Sequence, residues 1–150
     1  MTVSTHMFDK TAEMKAAGLI ASSAAVATII DLGPGVGHRI GKVVIDITAL
    51  EIGSEDEIYD IVVQGSPDAA FGTAGNIVEL GAISLSAKEV KRTDSDRDDA
   101  VGRRSILFEN LNEAGTPLRY IRLYTVVDGT IATGINYSAR LVPMQAAISG

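Results

Sequence analysis

Two segments of the chain alternate between apolar and more polar residues, and this period restricts the fold more than any other feature of the sequence. Within residues 42–49 every second side chain is Val, Ile or Ala, and within residues 135–141 apolar side chains alternate with Asn136, Ser138 and Arg140. Successive side chains of a β-strand point to opposite faces, so this period predicts strands that bury one face. Further strands are predicted where β-branched and aliphatic residues cluster, at residues 26–32, 58–64, 77–85, 105–111 and 118–127.

Turn-forming residues separate the predicted strands. The Asp128-Gly129 pair stands between two apolar runs, which is a strong signal for a β-hairpin. About seven or eight short strands at this spacing predict an all-β fold, namely an antiparallel β-sandwich of jelly-roll type. Loops or turns are also predicted at residues 33–37, 65–68 and 112–117.

The N-terminal residues differ from the rest of the chain. Between Thr11 and Ile20 the sequence contains Ala, Glu, Met and Lys, which favour helices, so a short helix or an extended arm would both fit. We therefore predict an N-terminal arm at residues 1–23 and one jelly-roll β-sandwich domain at residues 24–150. Terminal segments of this kind are ordered only where other parts of a structure hold them.

The composition excludes several classes of function. The 150-residue chain has no Cys, which rules out thiol nucleophiles, thiolate metal sites and disulfide scaffolds. Its 13 basic and 19 acidic residues give a net charge of −6, and binding to nucleic acid calls for a basic face, so no nucleic acid partner is expected. No segment reaches the ~18 apolar residues of a membrane span, so no membrane association is expected. We expect an intracellular protein or a part of a particle assembled inside a cell.

Residues 33–42 resemble a phosphate-binding loop in composition but not in spacing. Val36 stands where the Walker A motif requires a glycine, Val43 stands where it requires Ser or Thr, and His38 stands at the third glycine position of the dinucleotide fingerprint. No helical pattern follows, so we interpret the segment as an interstrand loop.

Three aspartates resemble the first half of a calcium-binding loop. Asp94, Asp96 and Asp98 fall at its first, third and fifth positions. The sixth position holds Asp99 instead of Gly, and the twelfth holds Ser105 instead of Glu. We interpret the segment as a charged surface loop and keep the three aspartates as the candidate ligands of a cation.

The chain lacks an arrangement that would support catalysis. His6 falls in the predicted arm and His38 in a glycine-rich loop, so the several His ligands of a cupin-type metal site are missing. No Gly-x-Ser-x-Gly elbow supports a Ser–His–acid triad. The acidic residues at 51–60 are predicted to form a solvated turn, and the basic residues at 88–104 could face an acidic partner surface. We predict a protein without enzymatic activity and without a cofactor.

One predicted strand, at residues 118–127, is largely apolar on both faces. Arg119 lies on one face, and Tyr120, Arg122 and Tyr124 lie on the other. Antiparallel sheets commonly leave one face to solvent, so this strand needs a further explanation. Either the N-terminal segment covers its outer face, or that face is a subunit interface, where Tyr and Arg are enriched.

Four segments of the chain are similar to those of a known family. They are residues 41–46 (Gly-Lys-Val-Val-Ile-Asp), 58–68 (Ile-Tyr-Asp-Ile-Val-Val-Gln-Gly-Ser-Pro-Asp), 119–126 (Arg-Tyr-Ile-Arg-Leu-Tyr-Thr-Val) and 134–139 (Gly-Ile-Asn-Tyr-Ser-Ala). Over roughly residues 24–143 the chain resembles the small capsid decoration, or cement, proteins of tailed bacteriophages that have a jelly-roll fold. The resemblance implies two packed antiparallel sheets and assembly as a homotrimer on the capsid exterior. It also implies binding at junctions between major capsid protein subunits, which stabilises the shell.

The resemblance therefore implies a virion protein that is assembled in the host cytoplasm. Its partners would be the major capsid protein and further copies of itself, and the family has no catalytic residues. An alternative from another class stays open, namely a soluble β-sandwich module that binds a ligand such as a glycan, with calcium assistance through the three aspartates. The residues that we expect at a subunit or capsid interface are Arg119, Tyr120, Arg122, Tyr124, Arg103 and Arg104.

Overall fold

The structure, a computed structural model, describes residues 12–72, 76–87 and 99–146, the last four of these by their backbone only. Two antiparallel sheets pack against each other and the described residues contain no α-helix, which confirms the predicted all-β sandwich. Within the described ranges, no helix is long and apolar enough to span a membrane. The strands are β1 (Glu13–Lys15), β2 (Leu19–Ile20), β3 (Ala24–Ala25), β4 (Ile30–Asp31), β5 (Arg39–Leu50), β6 (Ile58–Ser66), β7 (Val78–Ser86), β8 (Gly102–Glu109), β9 (Tyr120–Asp128) and β10 (Ile135–Ala146).

The strands divide between two sheets. Sheet I has β10 and β5 at its centre, with β8 at one edge and the short strands β1 and β2 at the other. Sheet II has β9 and β6 at its centre, with β7 at one edge and the short strands β3 and β4 at the other. The first long strand, β5, pairs with the last, β10, in sheet I, and the second, β6, pairs with β9 in sheet II. A long hairpin folded over into two sheets has this order of pairing.

Every second residue of the long strands points into the space between the sheets. In β5 Val43, Ile45 and Ile47 belong to the core between the sheets, as the alternation predicts, and burying each such side chain contributes about 1.5–3 kcal/mol. A polar contact also crosses this core, because the hydroxyl oxygens of Thr125 on β9 and Tyr137 on β10 lie 2.6 Å apart in a fully buried position. This hydrogen bond connects sheet II with sheet I.

The edge strands β7 and β8 belong to different sheets but approach each other at Gly81. A Cβ atom on Gly81 would lie 2.8 Å from Cγ2 of Ile106 and 3.2 Å from the backbone oxygen of Leu107. A glycine in a strand often marks such a close approach, since any other residue would crowd it. Strand β7 at the edge of sheet II and strand β8 at the edge of sheet I are therefore in contact at Gly81, and the backbone oxygen of Leu107 faces β7.

The described residues of the predicted N-terminal arm form two short strands and no α-helix. Its strands β1 and β2 pair with β10 at the edge of sheet I, and the next two short strands, β3 and β4 of the predicted domain, pair with β9 at the edge of sheet II. Nζ of Lys15 donates to the backbone oxygens of Tyr137 (2.8 Å), Gly18 (2.9 Å) and Ala16 (3.0 Å), and it lies 4.5 Å from the Tyr137 ring centroid. Burial lowers the pKa of Lys15. Pairing at the sheet edge thus outweighs the helix propensity of the segment.

The predicted hairpin at Asp128-Gly129 is wrong, because β9 and β10 belong to different sheets. Residues 129–134 instead cross from sheet II to sheet I. The carboxylate of Glu51 accepts hydrogen bonds from successive backbone N–H groups of this connection, the shortest at 2.7 Å, and that of Asp56 accepts one at 2.9 Å. These bonds direct the chain across the end of the sandwich, so the Asp-Gly pair bends it without returning it to the same sheet.

We predict that Gly81→Ala lowers the free energy of unfolding by about 1–3 kcal/mol, because the added methyl group must displace Ile106 or the backbone of β8. The matched control is Gly53→Ala, since nothing lies within 4 Å of a Cβ at that position and its φ is not positive. Chemical denaturation followed by circular dichroism measures both variants. Equal stability of Gly81→Ala and the wild type would contradict the close approach of the two edge strands.

Candidate interaction surface

Strand β9 has a buried face and a half-exposed face. Ile121, Leu123 and Thr125 are fully buried between the sheets. Strands β3 and β4 lie beside β9 and pair with its edge, so the described N-terminal segment does not cover its outer face. That face is half-buried among the described residues. We name it the arginine face, and its half-buried outward residues are Tyr120, Arg122, Tyr124 and Val126.

Arg122 is held at the centre of the arginine face by two neighbours. Its guanidinium carbon lies 4.2 Å from the centroid of the Phe71 ring, and its Nε donates to Oε1 of Gln64 at 2.8 Å. Burial lowers the pKa of Arg122 from its usual value, which indicates a cation partly removed from water. Its terminal nitrogens have no hydrogen-bond acceptor among the described residues, so they remain available to acceptor atoms of a partner.

A tight turn after β6 brings the ring of Phe71 against Arg122. The carboxylate of Asp68 accepts hydrogen bonds from the backbone nitrogens of Ala70 (3.1 Å) and Gly72 (3.2 Å). These bonds hold Phe71 at a φ of 50°, a conformation that is uncommon for a residue with a bulky side chain. Phe71 is only 6% exposed, so its ring supports the guanidinium and does not itself face solvent.

Arg119 lies at one end of the arginine face and is engaged within the molecule. Its Nε and Nη2 donate to the two carboxylate oxygens of Asp31 at 2.7 Å and 3.0 Å, and its guanidinium carbon lies 5.0 Å from the Tyr120 ring centroid. The hydrogen bond from Arg119, followed by the one from the backbone nitrogen of Gly33, lowers the pKa of Asp31 to about 2. Arg119 thus joins β4 to β9 and packs on Tyr120.

The remaining two predicted interface residues, Arg103 and Arg104, lie on β8 in sheet I and not on the arginine face. Arg103 donates to the carboxylate of Asp46 at 2.7 Å, and Arg140 reaches the same carboxylate at 3.5 Å. Arg104 donates to the backbone oxygen of Ala100 at 3.2 Å. The structure therefore brings the four predicted residues of β9 and its entrance together and places the two arginines of β8 on the opposite sheet.

Residues 51–57 form the turn between β5 and β6, as predicted, whereas Asp60 lies on β6. The carboxylates of Glu51, Asp56 and Glu57 accept hydrogen bonds from backbone groups. Glu57 is fully buried, and its carboxylate accepts hydrogen bonds from the backbone nitrogens of Ser54 (2.7 Å) and Asp56 (3.1 Å). Hydrogen bonds from backbone N–H groups lower the pKa of Glu51 and that of Asp56. These carboxylates therefore hold loops in place, which gives them a structural role.

The candidate cation ligands Asp94, Asp96 and Asp98 lie outside the described residues. Among the residues that the structure does describe, no group of three His, Cys, Asp or Glu side chains is placed to hold a metal ion. Nε2 of His38 lies 3.1 Å from the carboxylate of Glu109 in an exposed pair. The glycine-rich loop before it leads into β5 and not into a helix, as the sequence analysis predicts.

A groove of about 590 Å³ lies beside the start of β7 and the connection from β8 to β9. Its walls include Pro67, Pro117 and Leu118, and Glu79 and Glu113 add two carboxylates. Small-molecule sites typically have volumes of this order and mixed linings. If the protein is instead a ligand-binding module, this groove is a candidate binding site.

No protein-family model and no curated protein matches the chain. The arginine face is therefore described from its contacts in the structure and not from a relative. Sequence reasoning identified the outward residues Tyr120, Arg122 and Tyr124 but missed Phe71 and Gln64. The pairing of β6 with β9 places Gln64 opposite Arg122, a relation that no local pattern shows, and the ring of Phe71 is placed by a turn whose geometry follows from side-chain hydrogen bonds.

We predict that Asp31→Asn lowers the melting temperature at pH 7 and that this difference disappears toward pH 2. The folded-state pKa of Asp31 is about 2, below the ordinary value of 3.8. The contribution of the Asp31 carboxylate to the free energy of unfolding is therefore fully present above its unfolded-state pKa, and it is lost as the pH falls through its folded-state pKa. Thermal unfolding between pH 7 and pH 2 measures this, with the exposed carboxylate variant Glu113→Gln as the control. A difference that stays constant over this range would contradict the prediction.

Proposed function

We propose that the protein is a capsid decoration protein of a tailed bacteriophage, a structural virion component that acts without catalysis and without a cofactor. In this proposal it binds the capsid exterior at junctions between major capsid protein subunits, and it self-associates as a homotrimer. It binds neither nucleic acid nor membranes. The resemblance of residues 24–143 to that family supports the proposal, together with the arginine face.

The arginine face is the observation that carries this proposal. Tyr and Arg are the residue types that contribute most to the binding energy of protein interfaces. Because Arg122 is already stacked on Phe71 and hydrogen-bonded to Gln64, it loses little side-chain freedom when a partner binds. An oligomer that contacts several capsid subunits at once needs only a modest affinity at each contact. A small rigid face of this kind is therefore sufficient for stable decoration.

We predict that Arg122→Ala weakens binding to expanded capsids at least about tenfold, because it removes the central cation of the face. Expanded capsids of the phage that encodes the chain are incubated with increasing amounts of protein, and the bound copies are counted after sedimentation. The matched comparison is Arg103→Ala on the outer face of sheet I, which is expected to bind like the wild type.

Two outcomes of this experiment would count against the proposal. A purified protein that is monomeric in light scattering and fails to bind expanded capsids would refute the decoration role. Loss of capsid binding in Arg103→Ala, with normal binding in Arg122→Ala, would refute the assignment of the docking surface to sheet II. Circular dichroism of each variant establishes that the fold is intact.

A ligand-binding module is the second candidate function, and the groove of about 590 Å³ is the observation that favours it. We predict that calcium changes the melting temperature by less than about 1 °C, because a decoration role requires no bound cation. Differential scanning fluorimetry over a calcium series measures this. A rise of several degrees that the triple variant Asp94→Asn, Asp96→Asn, Asp98→Asn abolishes would favour the calcium-assisted module instead.

A further inference from the structure

The free end of the Arg122 side chain can be reached from outside the molecule. The ring of Phe71 lies against its guanidinium, and Oε1 of Gln64 accepts the hydrogen bond from Nε. The two terminal nitrogens, Nη1 and Nη2, make no hydrogen bond or ion pair in the described structure. Within that part of the chain, the buried side-chain polar atom that lacks a partner is Oδ1 of Asp60. Both terminal nitrogens of Arg122 therefore keep surface that an outside group can contact.

No carboxylate of the described residues neutralises Arg122. Asp31 lies at the end of the arginine face, but both of its carboxylate oxygens accept hydrogen bonds from Arg119. Asp60 on β6 and Glu79 on β7 belong to the same sheet, and neither forms an ion pair with Arg122 in the described structure. The contacts that hold Arg122 are a neutral amide and an aromatic ring.

A cation that is partly removed from water without a counter-charge is costly. Burial lowers the pKa of Arg122, and the influence that opposes it comes from Tyr124 and not from a carboxylate. Hydrogen bonds in which both groups are charged are roughly twice as strong as those between neutral groups. An anionic acceptor at the free end of Arg122 is therefore favoured over a neutral one.

The groups beside Arg122 on the arginine face can also donate hydrogen bonds. Tyr120 and Tyr124 precede and follow it on the same side of β9, and both are half-buried. Neither hydroxyl group takes part in a hydrogen bond with a described residue. The centre of the face thus presents two guanidinium nitrogens between two phenol groups, a set of donors that fits an acceptor with a negative charge.

We propose that the arginine face binds a carboxylate side chain of the major capsid protein, whose two oxygens accept hydrogen bonds from Nη1 and Nη2 of Arg122. This contact rests on the proposed function and adds the chemistry of the group that the capsid presents. A guanidinium and a carboxylate pair in one plane through two parallel hydrogen bonds. Because Phe71 and Gln64 fix the plane of the guanidinium, they also fix where the carboxylate of the capsid must lie.

The variant Gln64→Glu tests the contact by giving Arg122 a carboxylate from its own chain. Glu has nearly the shape of Gln and accepts the hydrogen bond from Nε with a charge, so the melting temperature should be at least that of the wild type. Two carboxylates at one guanidinium repel each other, so binding to expanded capsids should weaken at least about tenfold in the sedimentation assay. The matched control, Thr48→Glu, adds the same charge at an exposed position of sheet I and should bind like the wild type.

A cross-link identifies the capsid group directly. In Arg122→Lys an amine takes the place of the guanidinium. A carbodiimide activates carboxylates, and an amine in contact with an activated carboxylate displaces the activating group and forms an amide bond. Expanded capsids saturated with Arg122→Lys are treated in this way, digested and analysed by mass spectrometry. We expect an amide bond between the introduced lysine and an Asp or Glu side chain of the capsid protein. The control Arg103→Lys, on sheet I, should form no cross-link to the capsid protein.

The results distinguish this contact from the proposed function. A wild type that does not bind expanded capsids refutes the proposed function, and the contact is refuted with it. Where the wild type binds, a folded Gln64→Glu that binds equally well overturns the contact and leaves the decoration role standing. A bound Arg122→Lys that gives no cross-link to the capsid protein does the same. Circular dichroism and thermal unfolding establish that each variant is folded.

Discussion

The hydrogen bond between the hydroxyl groups of Thr125 and Tyr137 determines how the two sheets face each other. Both residues are fully buried, and a hydroxyl group buried alone would be costly, so each can point inward only if the other lies opposite it. A shift of β9 by one residue would turn Thr125 outward and exchange the buried Ile121 for a neighbour such as Arg122. Burial of Ile121, Leu123 and Thr125 between the sheets therefore turns the arginine face outward.

The positions of the long strands could be predicted from the local sequence pattern. In a strand that buries one face, apolar side chains recur at every second residue. The alternation at residues 135–141 identified β10, which the structure extends to Ala146 because pairing with β5 continues to that point. The helix-forming composition between Thr11 and Ile20 left two conformations open. Pairing with β10 selected the extended one, a tertiary contact that propensity does not encode.

The relations between distant segments could not be predicted in the same way. Asp128-Gly129 is a good turn sequence, yet the carboxylate of Glu51, far upstream in the chain, helps to direct the following residues into the other sheet. The Tyr and Arg residues of the arginine face were identified from the sequence, but Phe71 and Gln64, which contact Arg122, were not. Local patterns therefore identified the strands, and hydrogen bonds between distant residues determined the surfaces.

The buried ammonium group of Lys15 has a consequence for the chemical reactivity of the chain. Lys15 is 8% exposed and its Nζ is surrounded by backbone oxygens, whereas Lys42 is open to solvent. An acylating reagent that modifies exposed amines can reach Lys15 only after β1 has separated from β10. The rate of acylation at Lys15 therefore reports how often this edge of sheet I opens, a local event that is separate from unfolding of the whole domain.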